Sequence, residues 1–207
     1  MEKRITIRAL EKRDQIRGGA RRVFLERGLD RASTDDIAAA AGVSKQTLYA
    51  YYRSKTELLV DVLRQLVMEG PQAPLANLEA MEPRSRDELR ELLVERMSEV
   101  VRVMMSKDYL ALLRVIIAEA PRMPAVGDVF RSTIPESGIS MISEVLERTN
   151  AQGITNAPDT NVAARMLIGS VVTYALLDGL LSPKGPVKQP AQEKIDEIVT
   201  LFMKAVA

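Results

Sequence analysis

Apolar residues recur along the chain at intervals of three and four, and nowhere in sustained alternation, which predicts helices and no strands. Ile16, Ala20 and Phe24 fall at i, i+4 and i+8 of a first helix running from about Leu10 to Arg27, with Gly28 as its stop. Ser33 can cap a second helix, with Asp36 as its capping-box partner. Ile37, Ala38 and Ala41 form its apolar face. Gly42 stands where the chain must leave that helix, and glycine tolerates the left-handed backbone used there. Val43 returns to the core. Ser44 then caps a third helix that turns Leu48 inward and leaves Lys45, Gln46 and Tyr49 outside. Two short helices joined by a tight turn make a helix-turn-helix, whose second helix enters the major groove of DNA by its N-terminal end.

The same periodicity continues. Ser54 and Glu57 form a second capping box, opening a fourth helix through Leu58, Val62 and Leu66 that Pro71 and Pro74 kink or end. Ser85 and Glu88 form a third, before a helix carrying Leu89, Leu92, Leu93, Met97, Val100 and Met104. Further helices are predicted from about Tyr109 to Ala120, closed by Pro121 and Pro124, and from Val126 to Asn150, irregular around Pro135 and Gly138. After a loop from Gly153 to Pro158 come helices from Asp159 to Leu181 and from Pro190 to the end, with the turn cluster 182–186 between them. The expected fold is all-α with about nine helices. A three-helix DNA-binding domain would span residues 1–53, and a helical bundle residues 54–207, with the junction inside a helical hand-off at Arg53 and Ser54.

Composition narrows the chemistry. With no cysteine and no histidine, disulfides, thiolate nucleophiles, the usual general base and the commonest transition-metal ligand are all missing. No glycine-rich phosphate loop occurs, and carboxylate pairs such as Glu79 and Glu82 read as exposed helix faces, so no enzyme, cofactor or metal site is expected. The opening Met1-Glu-Lys-Arg lacks a signal-peptide pattern. The longest apolar stretch, Val162 to Leu181, is interrupted by Arg165 and Asp178, which leads us to expect a cytoplasmic protein without membrane association. Net charge is only +1, but residues 1–60 hold 13 Lys and Arg against 8 Asp and Glu, while the remainder holds 16 against 20. The basic half carries the helix-turn-helix, as expected when one end meets phosphate.

Phe24-Leu-Glu-Arg-Gly28, Ser33-Thr34, Ile37-Ala38, Ala41-Gly-Val-Ser44, Thr47-Leu-Tyr49, Tyr51-Tyr52 and Ser54-Lys55, ending at Leu58, strongly resemble the TetR family of bacterial transcriptional regulators. The match covers about 50 residues. It implies an all-α homodimer that binds a palindromic double-stranded DNA operator and takes a small-molecule effector in its C-terminal domain. Leu112 to Arg122 is similar to the C-terminal domain of the AefR-like subgroup. Two departures stand out. The position after Lys45 is most often glycine in the family and is Gln46 here, which can pair with adenine. Asp35 places an acidic residue near the DNA-facing end of helix two, where it would repel phosphate.

Candidate DNA contacts are Thr34, Ser44, Lys45, Gln46, Thr47, Tyr49, Tyr51 and Lys55. Lys45 and Gln46 are placed to reach base edges. The resemblance implies phosphate contacts by the hydroxyls of Tyr49 and Tyr51, while Tyr52, at i+4 from Leu48, reads as packing. Thr34 and Lys55 sit at or beside helix N-termini, where phosphate binding is natural. Lys3, Arg4, Arg8, Lys12, Arg13 and Arg17 are either a solvated face or a basic arm that contacts the minor groove or the DNA backbone. Candidate effector contacts are Met97, Met104, Arg114, Met141, Thr173, Tyr174 and Asp178: adaptable methionines and polar groups on otherwise apolar helices. An internal ion pair such as Arg114 with Glu119 is the plain alternative for the charged ones. Val162, Met166, Gly169, Ser170, Thr173, Leu177 and Leu180 form one stripe, and Ile195, Ile198, Val199 and Phe202 another. Together they make a four-helix dimer interface or complete the monomer core. The reading is a ligand-responsive transcriptional regulator, most simply a repressor released by its effector. The alternative is a dimeric small-molecule-binding protein without specific DNA binding.

Overall fold

Gly28 breaks the first helix where the sequence places its stop: its backbone turns to φ 73°, ψ 177° inside the segment α1 (Ile7–Arg31). The structure, a computed structural model, describes residues 7–68, 78, 81–133, 135–182 and 187–207. Lys3, Arg4, Pro71, Pro74, Glu79 and most of the 182–186 turn lie outside that set. Among the described residues there is no strand. After α1 follow α2 (Thr34–Ala41), α3 (Lys45–Tyr51), α4 (Lys55–Met68), α5 (Arg86–Met104), α6 (Lys107–Glu119), α7 (Pro124–Thr133), α8 (Pro135–Ala151), α9 (Thr160–Tyr174) and α10 (Gln192–Ala205). The helix expected from Val126 to Asn150 is two, α7 and α8. Both begin on a proline, which fits the first helical position but not the interior. The helix expected from Asp159 to Leu181 is continuous, but its last turn, Ala175–Leu180, is a π-helix, which the spacing did not foretell.

The serines of all three predicted capping boxes cap their helices. At Ser33 the box is complete: its hydroxyl accepts from the Asp36 amide, and the Asp36 carboxylate accepts from the Ser33 amide and hydroxyl. At Ser54 and Ser85 the serine accepts from Glu57 and Glu88 amides at 3.1 Å, but each glutamate reaches one residue further back, to the Arg53 and Arg84 amides at 2.8 Å.

The chain forms two compact units. The first comprises residues up to Arg64 with Ala111–Phe130; the second comprises Gln65–Leu110 with Arg131–Ala207. In the first, α1 packs on α2 through Ile16, Ala20, Val23 and Phe24 against Ile37, Ala38 and Ala41, all buried. In the second, α9 packs on α8, α5 and α10, with Ala163, Ala164, Leu167 and Val171 turned inward. Arg86 ties the start of α5 to the end of α10, donating to the carbonyls of Met203 at 2.5 Å and Ile154 at 3.1 Å. The Asn150 side chain bonds Ala157 at both its carbonyl and its amide, closing the loop before α9.

Candidate nucleic-acid interface

Gly42 leaves α2 at φ 62°, and its amide donates back to the α2 carbonyls of Ala38 and Ala39. Side chains of α1 satisfy the carbonyls that follow. Gln15 donates to Ala41 at 2.6 Å, and Arg22 donates to Ala40. Ser44 caps α3 through the Thr47 amide at 3.0 Å and bonds the Thr47 hydroxyl at 2.8 Å. Leu48, 2% exposed, anchors the inner side of α3. Lys45, Gln46 and Tyr49 stand exposed on its outer side, Thr47 and Tyr51 are half-buried, and Val43 is half-buried in the turn. The side chains that spacing turns outward on α3 are therefore on the surface.

Two contacts at that surface were not foreseen. The Lys45 ammonium pairs with the Asp35 carboxylate at 2.9 Å across the two helices. That hydrogen bond and charge hold the Lys45 ammonium above its ordinary pKa. Asp35 thus stands beside a cation, not alone against phosphate. Tyr49 reaches Thr34 by its hydroxyl at 3.5 Å, placing both on the same face. Lys55 turns inward: its ammonium donates to the carbonyls of Ala32 at 2.7 Å and Leu29 at 2.9 Å, where the chain ends its first helical segment. A phosphate contact by Lys55 would require it to leave those acceptors.

Under the surface lies a buried ionic cluster. The Asp61 carboxylate accepts from Arg13 Nε and Nη2 at 3.1 and 2.7 Å, from Arg17 Nε and Nη2 at 2.7 and 3.0 Å, and from the Tyr52 hydroxyl at 2.7 Å. The minor-groove alternative for Arg13 and Arg17 is corrected here: both guanidiniums grip α4 instead, because Asp61 is 7% exposed and its charge needs partners. Burial pushes Asp61 up, but the bonds from Arg17, Tyr52 and Arg13 outweigh it and hold the carboxyl below its ordinary pKa. The Tyr52 hydroxyl is pushed up to about 12, first by burial and then by its bond to Asp61. Tyr52 is packing, as read from its spacing, and also a strut from the end of α3 to α4. The spacing Arg13, Arg17 shows one helix face, but nothing local to Asp61 announces its partners 44 and 48 residues away.

The proposed effector residues are not gathered by the second unit into one cavity. Met97 is fully buried in the core, Met104, Met141 and Tyr174 are half-buried, and Thr173 and Asp178 are exposed. Arg114, exposed on α6, belongs to the first unit's stretch. Thr173 and Asp178 face out because α9 and its π turn present Ala164, Leu167, Val171, Ala175 and Gly179 inward. Clefts among the described residues of this unit include two that lie elsewhere. One of ≈ 500 Å³ is lined by Met81, Glu82, Arg84, Arg148, Thr149 and Ile154, and one of ≈ 240 Å³ by Ser98, Glu99, Arg102, Gln192 and Ile195. Neither is lined by a residue assigned to the effector from sequence.

Of the two apolar stripes, the first stays outside. Val162 is 53%, Met166 52% and Leu177 59% exposed, with Gly169, Ser170 and Thr173 also on the surface and Leu180 half-buried. The second is corrected in part: Ile195, Val199 and Phe202 are buried in the core of the unit, because α10 packs that face on α5 and α9. Ile198 is half-buried, and the outward apolar residue of α10 is Leu201, 64% exposed, which the stripe reading missed. Thr160–Leu180 is one continuous helix of 21 residues with mean hydropathy 1.3, long and apolar enough to cross a membrane, contrary to the expectation from Arg165 and Asp178. One such helix that also carries part of a packed core is weak ground for a membrane span.

Comparison with known proteins covers both parts of the chain. Residues 16–62 match the bacterial regulatory proteins of the tetR family, and residues 91–206 match the C-terminal domain of AefR-like transcriptional repressors. An uncharacterised HTH-type transcriptional regulator of Mycobacterium bovis is 24% identical over 183 residues, 86% of this chain and 81% of its own. A TetR-family regulator from Mesorhizobium loti shares the fold with TM-score 0.71 at 21% identity, over 97% of each chain. A protein described as the flavonoid-responsive regulator FrrA is similar with TM-score 0.64 at 26% identity, over 95% of this chain and 97% of that one.

Proposed function

The chain belongs to the TetR family of bacterial regulatory proteins and is a transcriptional regulator of that family, and from this premise we propose that it is a ligand-responsive repressor that binds a palindromic operator as a homodimer. The observation that carries the DNA reading is the exposed face of α3. Lys45, Gln46 and Tyr49 stand outward together while Leu48 and Tyr52 fix the helix from beneath. Lys45 and Gln46 read base edges; Ser44, Thr47, Tyr49, Tyr51 and Thr34 contact or position against phosphate. Lys55 supports them by holding the end of the first helix.

The dimer reading rests on the exposed face of α9. Val162, Met166, Gly169, Ser170, Thr173 and Leu177, with Leu201 of α10, form a surface with more apolar area than water tolerates well, and its small residues allow close helix approach. Two subunits joined there would set their recognition helices into successive major grooves, about 34–36 Å apart. An effector bound in the C-terminal domain would shift α4, which runs without a break from Lys55 to Met68, and so change that spacing. The FrrA likeness supports a small-molecule effector; the AefR-like match supports repression. A cytoplasmic location is part of the proposal, as suits a regulator that binds DNA.

The test is selection of bound sequences from a random DNA pool by the purified protein. The expected result is a palindrome with half-sites about one helical turn apart, bound by a dimer. Lys45→Ala with Tyr49→Ala should abolish that binding and leave the dimer folded. Sequence-blind, salt-sensitive binding by the wild type would instead favour the ligand-binding dimer without an operator.

A further inference from the structure

The exposed pair Asp35–Lys45 joins opposite charges from α2 and α3 at 2.9 Å on the face assigned to DNA. We propose that the two act as one reading head for a G·C base pair, Lys45 donating to guanine and Asp35 accepting from the cytosine amino group. The inference rests on the operator reading above.

The argument is one of matching patterns. In the major groove a G·C pair presents two neighbouring acceptors, guanine N7 and O6, and beside them one donor, cytosine N4. O6 and N4 are partners in a base-pairing hydrogen bond, so they lie about 3 Å apart. An ammonium and a carboxylate held at 2.9 Å present the complementary donor and acceptor at the same separation. Lys45 can then serve N7 and O6 while Asp35 accepts from N4. An A·T pair presents acceptor, donor, acceptor and methyl in order. There, with Lys45 on adenine N7 and Asp35 on adenine N6, the carboxylate meets thymine O4, a second acceptor, and the arrangement is repulsive. Discrimination needs this unpaired contact against the wrong base as much as the attraction to the right one.

The pair is also cheap to redirect. Lys45 and Asp35 side chains are 49% and 71% exposed, so water already screens their mutual attraction, and meeting a base edge takes little from the free protein. Gln46 is exposed next to Lys45 and remains for an adjacent base, so the half-site would carry a G·C pair beside a position read by Gln46.

Selection from a random DNA pool, followed by affinity measurements on single-base variants of the selected site, tests this with wild type, Asp35→Ala, Asp35→Asn and Lys45→Ala. Both substituted positions are exposed, and circular dichroism checks that each variant is folded. Wild type should prefer one G·C pair per half-site by roughly 5- to 100-fold over A·T. Asp35→Ala and Lys45→Ala should both relax preference at that same pair. Asp35→Asn should keep part of it, since its carbonyl still accepts. If Asp35→Ala binds every sequence more tightly with an unchanged consensus, Asp35 only repels phosphate and the proposal is wrong. Relaxation of different base pairs by the Asp35 and Lys45 variants would also refute it. Absence of any consensus with the wild type is a different failure, that of the operator reading itself.

Discussion

Replacing Asp61 by Asn keeps the size of the side chain and removes its charge. Five donated hydrogen bonds from Arg13, Arg17 and Tyr52 then converge on a neutral amide that can accept at only one atom. Arg17 is 3% exposed and loses the buried carboxylate that faces it, keeping the exposed Asp14 at 3.2 Å. Breaking a buried ion pair from one side costs about 3–5 kcal/mol. Arg13 adds less, because its side chain is 31% exposed and water screens it. For a chain of this size each kcal/mol lowers Tm by about 2–4 °C, so Asp61→Asn should lower it by roughly 6–20 °C. Tyr52→Phe removes one bond to the carboxylate and should cost about 1.5–3 kcal/mol. Because the two share a bond, the double variant should lose less than the sum. Urea and thermal unfolding of the four proteins measure all of this. The charge adds a pH signature. Asp61's folded pKa lies below its unfolded value of about 3.9, so its contribution is present above that value and is lost as pH falls through the folded one. The Asn variant should therefore lose less stability than wild type between neutral pH and the acid limb. An Asp61→Asn protein within about 1 kcal/mol of wild type, with additive effects in the double variant, would refute the reasoning.

Two neighbouring glycines on α1 should respond oppositely to alanine. A Cβ at Gly18 meets open space, so Gly18→Ala should stabilise by about 0.5–1 kcal/mol, whereas a Cβ at Gly19 would lie 2.6–2.7 Å from Ala41 backbone and side chain, so Gly19→Ala should cost about 1–3 kcal/mol in urea unfolding. In a spectrophotometric titration, Tyr52 at about 12 and the fully buried Tyr109 should ionise after ordinary tyrosines. Burial raises both folded values above the unfolded value of about 10, so their stabilisation is intact below that pH and is lost as pH rises through the folded values; Tyr52→Phe should remove its part of that alkaline loss.

Periodicity, caps and prolines lie close together in the chain, and they settled what depends on near neighbours: the all-α class, the break at Gly28, the three serine caps and the turn at Gly42 that sets α3 against α2. The identity of Leu48 as anchor and of Lys45, Gln46 and Tyr49 as an outward face follows from a seven-residue helix read by itself. Tertiary structure decided whatever depends on a partner far along the chain. Arg13 and Arg17 look like a basic arm until Asp61 arrives to neutralise them. Lys55 looks free for phosphate until the carbonyls of Leu29 and Ala32 come within its reach. Two stripes of equal apolar character on α9 and α10 part company because burying Ile195, Val199 and Phe202 takes a neighbouring helix surface, and α5 supplies one, while Val162, Met166 and Leu177 stay exposed among the described residues. An amphipathic pattern reports that a face wants covering; only the packed chain shows which faces it covers itself.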